Sequence, residues 1–282
     1  MGDERVSRRT MLTAGVAGLA LTGGVLTPLL GASGGGGAAS ASYLSLRSVE
    51  RVRSRARRRD VDLVTMLPGD DVPDTLPVCL VLHGLGGDAV GTQKYGFNAR
   101  LVSEAAMGTI PPFALVAVDG GDNYWNQVRP HDDPMAMLLN ELPVWLRERG
   151  LADPPFACAG VSMGGFGALL YARMRAERHD PLRATAAVSP ALITSWSVMR
   201  TRRIFPSREA WESLDPLRHP DATDPSALGV WCGKDDQFVT GTRQFISMTQ
   251  PNVVYLGPGG HTANFVSGVA DEVVRFLGRH AP

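Results

Sequence analysis

The sequence has no excess of charge of either sign. Its 282 residues contain 28 Lys and Arg against 28 Asp and Glu, so the formal net charge at pH 7 is zero. Proteins that attract nucleic acid through their overall field are strongly basic, so this balance predicts no nucleic-acid partner. The sequence also lacks heptads and internal repeats, and its one low-complexity segment is the glycine run at 34–37. The length of the chain is within the range of a single large domain.

Cysteine is scarce. The three cysteines, Cys79, Cys158 and Cys232, each lie within an apolar run typical of a buried strand. An odd number leaves at least one thiol without a disulfide partner, and none of the spacings resembles a zinc site. We therefore expect buried thiols that act as small apolar side chains, and we expect neither a metal ion nor a cofactor.

Long apolar runs are absent except near the start of the chain. There, a mostly apolar stretch at 11–30 follows a charged head that contains Arg8 and Arg9. This arrangement resembles a twin-arginine export signal, and residues 39–41, ASA, fit a signal-peptidase site. A membrane anchor is the alternative, because about 20 apolar residues can span a bilayer. We predict a signal peptide at 1–41, a single domain at 42–282, and a protein that is secreted or associated with the cell envelope.

Arginine is concentrated in the stretch 47–59. Every second residue in its later part is arginine: Arg51, Arg53, Arg55, Arg57 and Arg59. A period of two predicts a strand that carries these side chains on one face. One interpretation is a charged edge strand that discourages pairing with other chains. The other is a peripheral contact with an anionic envelope surface, such as lipid headgroups.

From residue 61 onward, short apolar segments alternate with segments of helical character. This alternation predicts an α/β fold with a mostly parallel sheet and helices on both faces. The predicted strands lie at 61–67, 78–82, 113–118, 156–160, 184–188, 228–232 and 252–256. The predicted helices lie at 92–107, at 132–150, after the strand at 156–160, and at 264–277.

The segment at 155–167, PFACAGVSMGGFG, organises the rest of the chain. Within it, residues 160–164 fit the pattern G-x-S-x-G, the nucleophile elbow that presents a serine on a tight turn between a strand and a helix. The glycines are needed because the backbone crowds both sides of the serine. Residues 31–35 match the same pattern but have no strand before them and no helix after them. The alternative at Ser162 is a glycine-rich turn that only packs a helix on the sheet.

A nucleophilic serine needs a base and an acid that orients the base, and in such sheets the chain order is Ser, acid, His. Of the six histidines, His261 directly follows the last predicted strand in a PGGH loop. Open α/β sheets place their chemistry at the carboxyl ends of strands, so we predict His261 as the base. Asp235 and Asp236 follow the preceding strand, and the residues by themselves leave the choice between them open.

The negative charge that develops during acyl transfer requires two N–H donors. One is expected from Met163, the residue after the nucleophile. The other is expected from the loop HGLGG at 83–87, where Leu85 is the predicted donor. The alternative is a plain glycine-rich turn. This loop is not a phosphate-binding loop, because it lacks the G-K-[ST] ending.

These segments together resemble the α/β-hydrolase superfamily, in particular the esterase group that includes S-formylglutathione hydrolase and the antigen 85 mycolyltransferases. The likeness covers the chain from about residue 54 to its end: VDLVTMLP at 61–68, HGLGG at 83–87, GVSMGG at 160–165, GKDDQF at 233–238 and HTANF at 261–265. The resemblance implies an α/β-hydrolase fold and assigns the acid role to Asp236 through the pattern G-x-x-D-x-F. Antigen 85 proteins usually carry Glu as the acid, and the cysteine-rich signature around the oxyanion loop of S-formylglutathione hydrolases is absent.

Specificity is less evident in the sequence. We expect His83, Tyr124 and Trp125 to border a substrate pocket, because the last two follow the strand after the oxyanion loop; ordinary aromatic packing is the alternative. The 39 residues at 189–227 are long enough to form a small helical cap over the site. A peripheral connection is the alternative.

The sequence therefore predicts an exported serine carboxylesterase that acts through an acyl-enzyme intermediate on a small-molecule or lipid ester. Two other functions stay open. One is an acyltransferase that uses the same triad and passes the acyl group to an alcohol. The other is a catalytically silent binding protein of the cell surface on a hydrolase scaffold.

Overall fold

A computed structural model describes residues 47–70 and 72–282. The predicted signal peptide at 1–41 lies outside the described residues. Those residues form one sheet of eight strands: β1 (Arg47–Ser54), β2 (Arg59–Met66), β3 (Val78–Leu82), β4 (Ala114–Val118), β5 (Ala157–Val161), β6 (Ala184–Val188), β7 (Leu228–Gly233) and β8 (Val253–Gly257). The strand order is β1-β2-β4-β3-β5-β6-β7-β8. β1, β2 and β4 pair antiparallel, and all other neighbours are parallel.

Helices cover both faces of the sheet. In the part of the chain that the structure describes, the α-helices are α1 (Phe97–Ala106), α2 (Pro134–Ala136), α3 (Leu142–Glu148), α4 (Met163–Glu177), α5 (Trp196–Met199), α6 (Arg208–Glu212), α7 (Val239–Thr249), α8 (Ala263–Gly268) and α9 (Ala270–Arg279). A π-helical turn, Met137–Glu141, joins α2 to α3. A 3-10 turn, Val90–Tyr95, precedes α1, so the helix predicted at 92–107 is two elements.

The core consists of two apolar layers, one on each face of the sheet. Successive residues of a strand point to opposite faces. In β3, Val78, Leu80 and Leu82 belong to one layer, whereas Cys79 and Val81 belong to the other. Because both layers are covered by helices, the central strands are almost entirely apolar, as the sequence predicted; Thr185 in β6 is the buried polar exception among β3 to β6.

The C-terminal helix predicted at 264–277 is divided at Val269 into α8 and α9. Gly268 ends α8, and glycine is a weak helix former in a helix interior. Thr262 caps α8 by accepting a hydrogen bond from the Phe265 N–H at 3.3 Å. α9 then packs on α1, where Arg275 donates two hydrogen bonds of 3.0 Å to the Glu104 carboxylate. These bonds lower the pKa of Glu104 to about 2.

The predicted arginine-rich strand is shorter than its period of two suggested. β1 ends at Ser54, and residues 55–58 form a turn. Arg57 therefore leaves the exposed face and is buried, with a hydrogen bond of 2.7 Å from its Nε to Asp132. β1 does form one edge of the sheet, and its Arg53 pairs with Asp60 on β2. The Asp60 carboxylate offsets the charge of Arg53. This pairing favours a charged edge strand over a contact with an anionic surface.

The three cysteines are buried free thiols, as expected. Burial raises the pKa of Cys232 to about 12 and that of Cys79 still further, so these groups stay protonated at neutral pH. Within the described ranges, the structure has no helix of the length and hydropathy that crossing a bilayer requires.

The six parallel strands, β3 to β8, bring the loops that follow them to one edge of the sheet. β3, β5, β7 and β8 all end there, and their next residues are His83, Ser162, Lys234 and Pro258. Ligands bind outside the carboxyl ends of strands in open α/β sheets. The candidate site lies at this edge.

Candidate active site

Ser162 lies in a strained turn between β5 and α4. Its φ is 58° and its ψ is −118°, in the left-handed half of conformational space that non-glycine residues rarely adopt. A Cβ atom on Gly160 would collide with the carbonyl oxygen of Gly164, and one on Gly164 would collide with the carbonyl oxygen of Leu82. The two glycines of the G-x-S-x-G pattern therefore allow the close approach that holds the serine in place.

Ser162, His261 and Asp236 form a hydrogen-bonded chain. His261 Nε2 lies 2.8 Å from Ser162 Oγ, and His261 Nδ1 lies 2.8 Å from Asp236 Oδ2. The side chain of Asp236 is fully buried, whereas Asp235 is exposed. The structure thus brings the predicted serine and histidine together and selects Asp236 between the two adjacent carboxylates.

Asp236 is held in its ionised form. Burial by itself would raise the pKa of this carboxyl, but hydrogen bonds from His261 and from the Phe238 N–H outweigh burial and lower it. The Phe238 bond is 2.8 Å long and ends on the other carboxylate oxygen. An ionised Asp236 accepts the Nδ1–H of His261, which leaves Nε2 free to accept the hydroxyl proton of Ser162.

The Phe238 ring packs against His261 in an edge-to-face arrangement, with ring centroids 5.0 Å apart. The guanidinium of Arg202 lies over the Phe238 ring, 5.5 Å from its centre. Arg202 belongs to the segment 189–227, which contains α5, α6 and several 3-10 turns. This segment therefore borders the histidine through Phe238, and its role as a cap stays a prediction.

Three of the backbone N–H groups of the loop at 83–87 donate hydrogen bonds that fix it. The Gly87 N–H donates to the Gly84 carbonyl at 3.1 Å, the Gly84 N–H donates to the Tyr95 hydroxyl at 3.0 Å, and the Gly86 N–H donates to Asp122 at 2.6 Å. The remaining N–H in the middle of the loop, that of Leu85, has no acceptor among the described residues. An N–H that lacks a partner at the wall of the cleft can be offered to a substrate oxygen.

Met163 is the first residue of α4. The first N–H groups of an α-helix have no acceptor within the helix, and the helix dipole adds a partial positive charge at this end. The N–H of Met163 therefore offers a second donor beside Ser162. Assignment of the oxyanion to Leu85 and Met163 stays a prediction.

A cleft of about 290 Å³ adjoins this chain of residues. Its walls include the loop 84–88, Val161, Ser189, His261, Thr262, Ala263, Val266, Gly91, Lys94 and Tyr95. Lys94 and Tyr95 come from the 3-10 turn before α1, which carries no recognisable motif. Sequence reasoning missed them because only the folded chain brings this turn against the loop at 83–87.

His83, Tyr124 and Trp125 do not border the cleft, contrary to the expectation from their position after strand ends. Each is at most 1% exposed. Tyr124 packs against Phe166 at 5.2 Å between ring centroids, and Trp125 fills the space beside Gly120 and Gly167. Ordinary aromatic packing, the alternative reading of the two aromatic residues, is correct.

His83 acts as an internal brace. Its Nδ1 lies 2.9 Å from the Gly84 carbonyl oxygen, and its Nε2 lies 2.8 Å from the Gly120 nitrogen. A neutral ring that donates from Nδ1 and accepts at Nε2 satisfies both contacts, and burial lowers the pKa of His83 in favour of that form. The ring thereby links the loop at 83–87 to the loop that follows β4.

In the described part of the chain, no group of three or more His, Cys, Asp and Glu side chains has the arrangement of a metal site. The reactive groups that the site brings together are the Ser162 hydroxyl, the His261 imidazole and the Asp236 carboxylate. Such a chain of groups suits nucleophilic attack on an acyl carbon.

Comparisons with known proteins also indicate an esterase. The family model described as "Putative esterase" matches residues 54–252. No curated protein matches the sequence. Among solved structures, a ferulic acid esterase has a TM-score of 0.69 and 19% identity, and the match covers 83% of this chain and 98% of that chain.

Two further structures have comparable scores. An S-formylglutathione hydrolase from Agrobacterium tumefaciens has a TM-score of 0.68 and 16% identity, with 84% of this chain and 95% of that chain covered. The fluorophosphonate-binding serine hydrolase F of Staphylococcus aureus has a TM-score of 0.67 and 17% identity, with 82% and 97% covered. At such identities the likeness concerns the fold, and it confirms the predicted α/β-hydrolase fold.

Proposed function

Because the chain belongs to the "Putative esterase" family and is a serine carboxylic ester hydrolase, we propose that it cleaves esters of small molecules through an acyl-enzyme intermediate on Ser162. The observation that carries this mechanism is the chain of 2.8 Å contacts from Asp236 through His261 to Ser162. A serine hydroxyl is a weak nucleophile until a base accepts its proton.

In the first half of the reaction, Ser162 Oγ attacks the ester carbonyl carbon while His261 Nε2 takes the hydroxyl proton. The carbonyl electrons move to the oxygen, where the N–H groups of Leu85 and Met163 stabilise the negative charge. When the tetrahedral intermediate collapses, His261 gives its proton to the leaving alcohol oxygen. The product is an ester between the acyl group and Ser162.

In the second half, water takes the place of the alcohol. His261 accepts one proton from the water as its oxygen attacks the acyl carbon, and then returns that proton to Ser162 Oγ. Asp236 stays ionised throughout and supports the imidazolium. The acyl group leaves as a carboxylic acid, and the enzyme regains its starting form.

The cleft favours a compact ester. Its volume of about 290 Å³ lies at the lower end of the range for small-molecule sites. Val161, Ala263 and Val266 make part of the wall apolar, whereas Lys94 and Asp88 add charge at other points. A short acyl group beside the apolar wall fits this lining.

A fluorophosphonate probe and a chain-length series of p-nitrophenyl esters test the proposal. The probe should label Ser162 in the wild type, and short-chain esters should be cleaved fastest. Ser162→Ala should lose labelling and at least about 10³-fold of kcat, because removing a triad member leaves only the oxyanion donors and binding. The matched control Ser267→Ala changes an exposed serine on α8 and should keep both.

Near-normal turnover of Ser162→Ala would refute the mechanism. Absence of labelling and turnover in the folded wild type would favour the catalytically silent binding protein. Acyl transfer to an added alcohol in preference to water, seen by product analysis, would favour the acyltransferase.

We further propose that the protein is exported through the twin-arginine route. Support comes from the sequence: Arg8 and Arg9 precede the apolar stretch at 11–30, as in signals of this type. Secretion, or association with the cell envelope, follows from this proposal. The contact of the arginine-rich strand with an anionic surface stays a prediction.

A further inference from the structure

A second recess lies beside the catalytic cleft and carries a net positive charge. Its volume is about 220 Å³. Its lining includes four arginines and two aspartates: Arg57, Arg59, Arg129, Arg203, Asp122 and Asp132. These residues come from the turn after β1, the start of β2, the loop after β4 and the segment 189–227, so only the tertiary structure assembles them.

The two aspartates do not neutralise the recess. Asp132 is shared by Arg57 and Arg59, at 2.7 Å and 2.8 Å. Asp122 accepts the Gly86 N–H. The side chains of Arg129 and Arg203 make no hydrogen bond or ion pair with the described residues. Four positive charges against two negative charges leave an excess of two positive charges.

Hydrogen bonds hold the buried base of the recess in a fixed position. Arg57 is only 3% exposed, and its guanidinium donates to the Asp119 carbonyl and to Asp132. Gly121, which lines the recess, has a φ of 72°, and a Cβ there would lie 2.8 Å from Arg57 Nη2. Glycine at this position therefore keeps the recess open above a fixed arginine.

We propose that this recess binds an oxyanion, the carboxylate or phosphate group of a small molecule, between Arg129 and Arg203. Guanidinium groups present parallel N–H donors that match both anions, and charge-assisted bonds of this kind are among the strongest in proteins. The volume holds several water molecules at about 30 Å³ each, so a tetrahedral or planar oxyanion fits.

The recess lies directly behind the oxyanion loop. Asp122 lines the recess, and Gly86 lines the catalytic cleft; the hydrogen bond of 2.6 Å between them joins the two walls. The anion has two possible sources, an anionic substituent of the ester substrate or a free anion. The first source rests on the proposed esterase function, whereas binding to the recess does not.

Calorimetric titration with inorganic phosphate at low ionic strength tests the binding site, with chloride at equal ionic strength as reference. Arg129→Gln combined with Arg203→Gln should weaken phosphate binding at least tenfold. The matched control combines Arg100→Gln with Arg279→Gln, two exposed arginines on α1 and α9. It has the same net charge as the first pair and should bind phosphate like the wild type.

Equal phosphate binding by the wild type and the Arg129/Arg203 variant overturns the proposal, and so does equal weakening in both double variants, which would indicate only a general charge effect. Thermal unfolding of each variant checks that the exposed substitutions leave the fold intact. If the wild-type protein binds phosphate but hydrolyses no ester, the esterase function is rejected and the anion site is supported.

Kinetics with two esters identifies the source of the anion. If the recess holds a substituent of the substrate, the Arg129/Arg203 variant should lose about tenfold in kcat/KM for the p-nitrophenyl monoester of adipic acid. Its kcat/KM for p-nitrophenyl butyrate should be unchanged, and phosphate should compete with the charged ester alone. If the recess holds a free anion, both esters should respond equally, while the difference in phosphate binding remains.

Discussion

Two adjacent carboxylates, Asp235 and Asp236, have different environments. Asp236 is buried and contacts His261 Nδ1. Asp235 is exposed, and its backbone N–H donates to the Gly259 carbonyl at 3.0 Å. The two residues lie in the turn after β7, closed by the Asp236 N–H bond to the Gly233 carbonyl at 3.2 Å, and only the Asp236 side chain reaches the imidazole. A substitution of Asp235 is therefore the matched control for the same substitution of Asp236.

We expect Asp236→Asn to lower kcat by on the order of 10²–10⁴-fold, because an amide donates to Nδ1 and leaves the proton on Nε2, the wrong tautomer for a base. Asp235→Asn should change kcat less than about tenfold, or about 1.4 kcal/mol of barrier. Steady-state kinetics on one p-nitrophenyl ester measures both. The opposite order of effects would transfer the orienting role to Asp235.

Asp215, at the start of a short 3-10 turn, is a carboxyl group whose burial disfavours its ionised form. It precedes the 3-10 turn Pro216–Arg218, where its Oδ1 accepts the Leu217 N–H at 3.1 Å. The side chain is 1% exposed, and its Oδ2 has no hydrogen-bond partner in the described part of the chain. Burial raises the pKa of Asp215 to about 6.

The sign of the pH dependence follows from that raised pKa. An unfolded aspartate has a pKa of about 3.9, so between pH 4 and about 6 the folded protein holds a proton that the unfolded chain has lost. Stability therefore falls as the pH rises through this window, and the cost remains at higher pH. Asp215→Asn removes the ionisation and can keep the N-terminal hydrogen bond of the turn.

We expect Asp215→Asn to raise the free energy of unfolding at pH 8 by on the order of 2 kcal/mol relative to the wild type, and to change it little at pH 4. Urea denaturation at the two pH values measures the difference. The control Asp224→Asn concerns an exposed aspartate that caps the turn Pro225–Ala227 through the same kind of bond, 2.9 Å to Ser226. A pH-independent effect of Asp215→Asn would contradict the assignment.

At the scale of the whole protein, the order of the strands places the site. The carboxyl ends of β3, β5, β7 and β8 meet at one edge, so residues far apart in the chain, such as Ser162 and His261, come within 2.8 Å. The helices of both faces leave this edge open to solvent at the cleft. A substrate therefore meets the nucleophile without displacing core side chains.

Export also concerns the whole chain. We expect replacement of Arg8 and Arg9 by lysine to retain the protein inside the cell, because the twin-arginine route requires both arginines before the apolar stretch. Fractionation of cells that produce wild-type and Arg8→Lys/Arg9→Lys protein, with esterase activity and immunodetection as readouts, measures the effect. Unchanged secretion of the double variant would indicate another route or a membrane anchor.

Local patterns in the sequence determined the elements and the nucleophile. The strands at 78–82 and 184–188 have the predicted bounds, and the apolar runs and glycine pattern around Ser162 predicted both the tight turn and the helix that follows it. These features depend on residues that are neighbours in the chain. Alternation, periodicity and the missing Cβ of glycine act over a few residues, so they are visible before folding.

Only the tertiary structure decided which side chains line the site. Tyr124 and Trp125 follow a strand end, as site residues do, but contacts from α4 bury them. Arg57 continues the alternating series of arginines that predicted an exposed face, but its hydrogen bonds to Asp132 and to the Asp119 carbonyl hold its side chain inside the protein. Tyr95 carries no motif, yet its hydroxyl accepts the Gly84 N–H and so holds the loop at 83–87. Each outcome depends on partners that are distant in sequence, and the burial and hydrogen bonds that they create exist only in the folded chain.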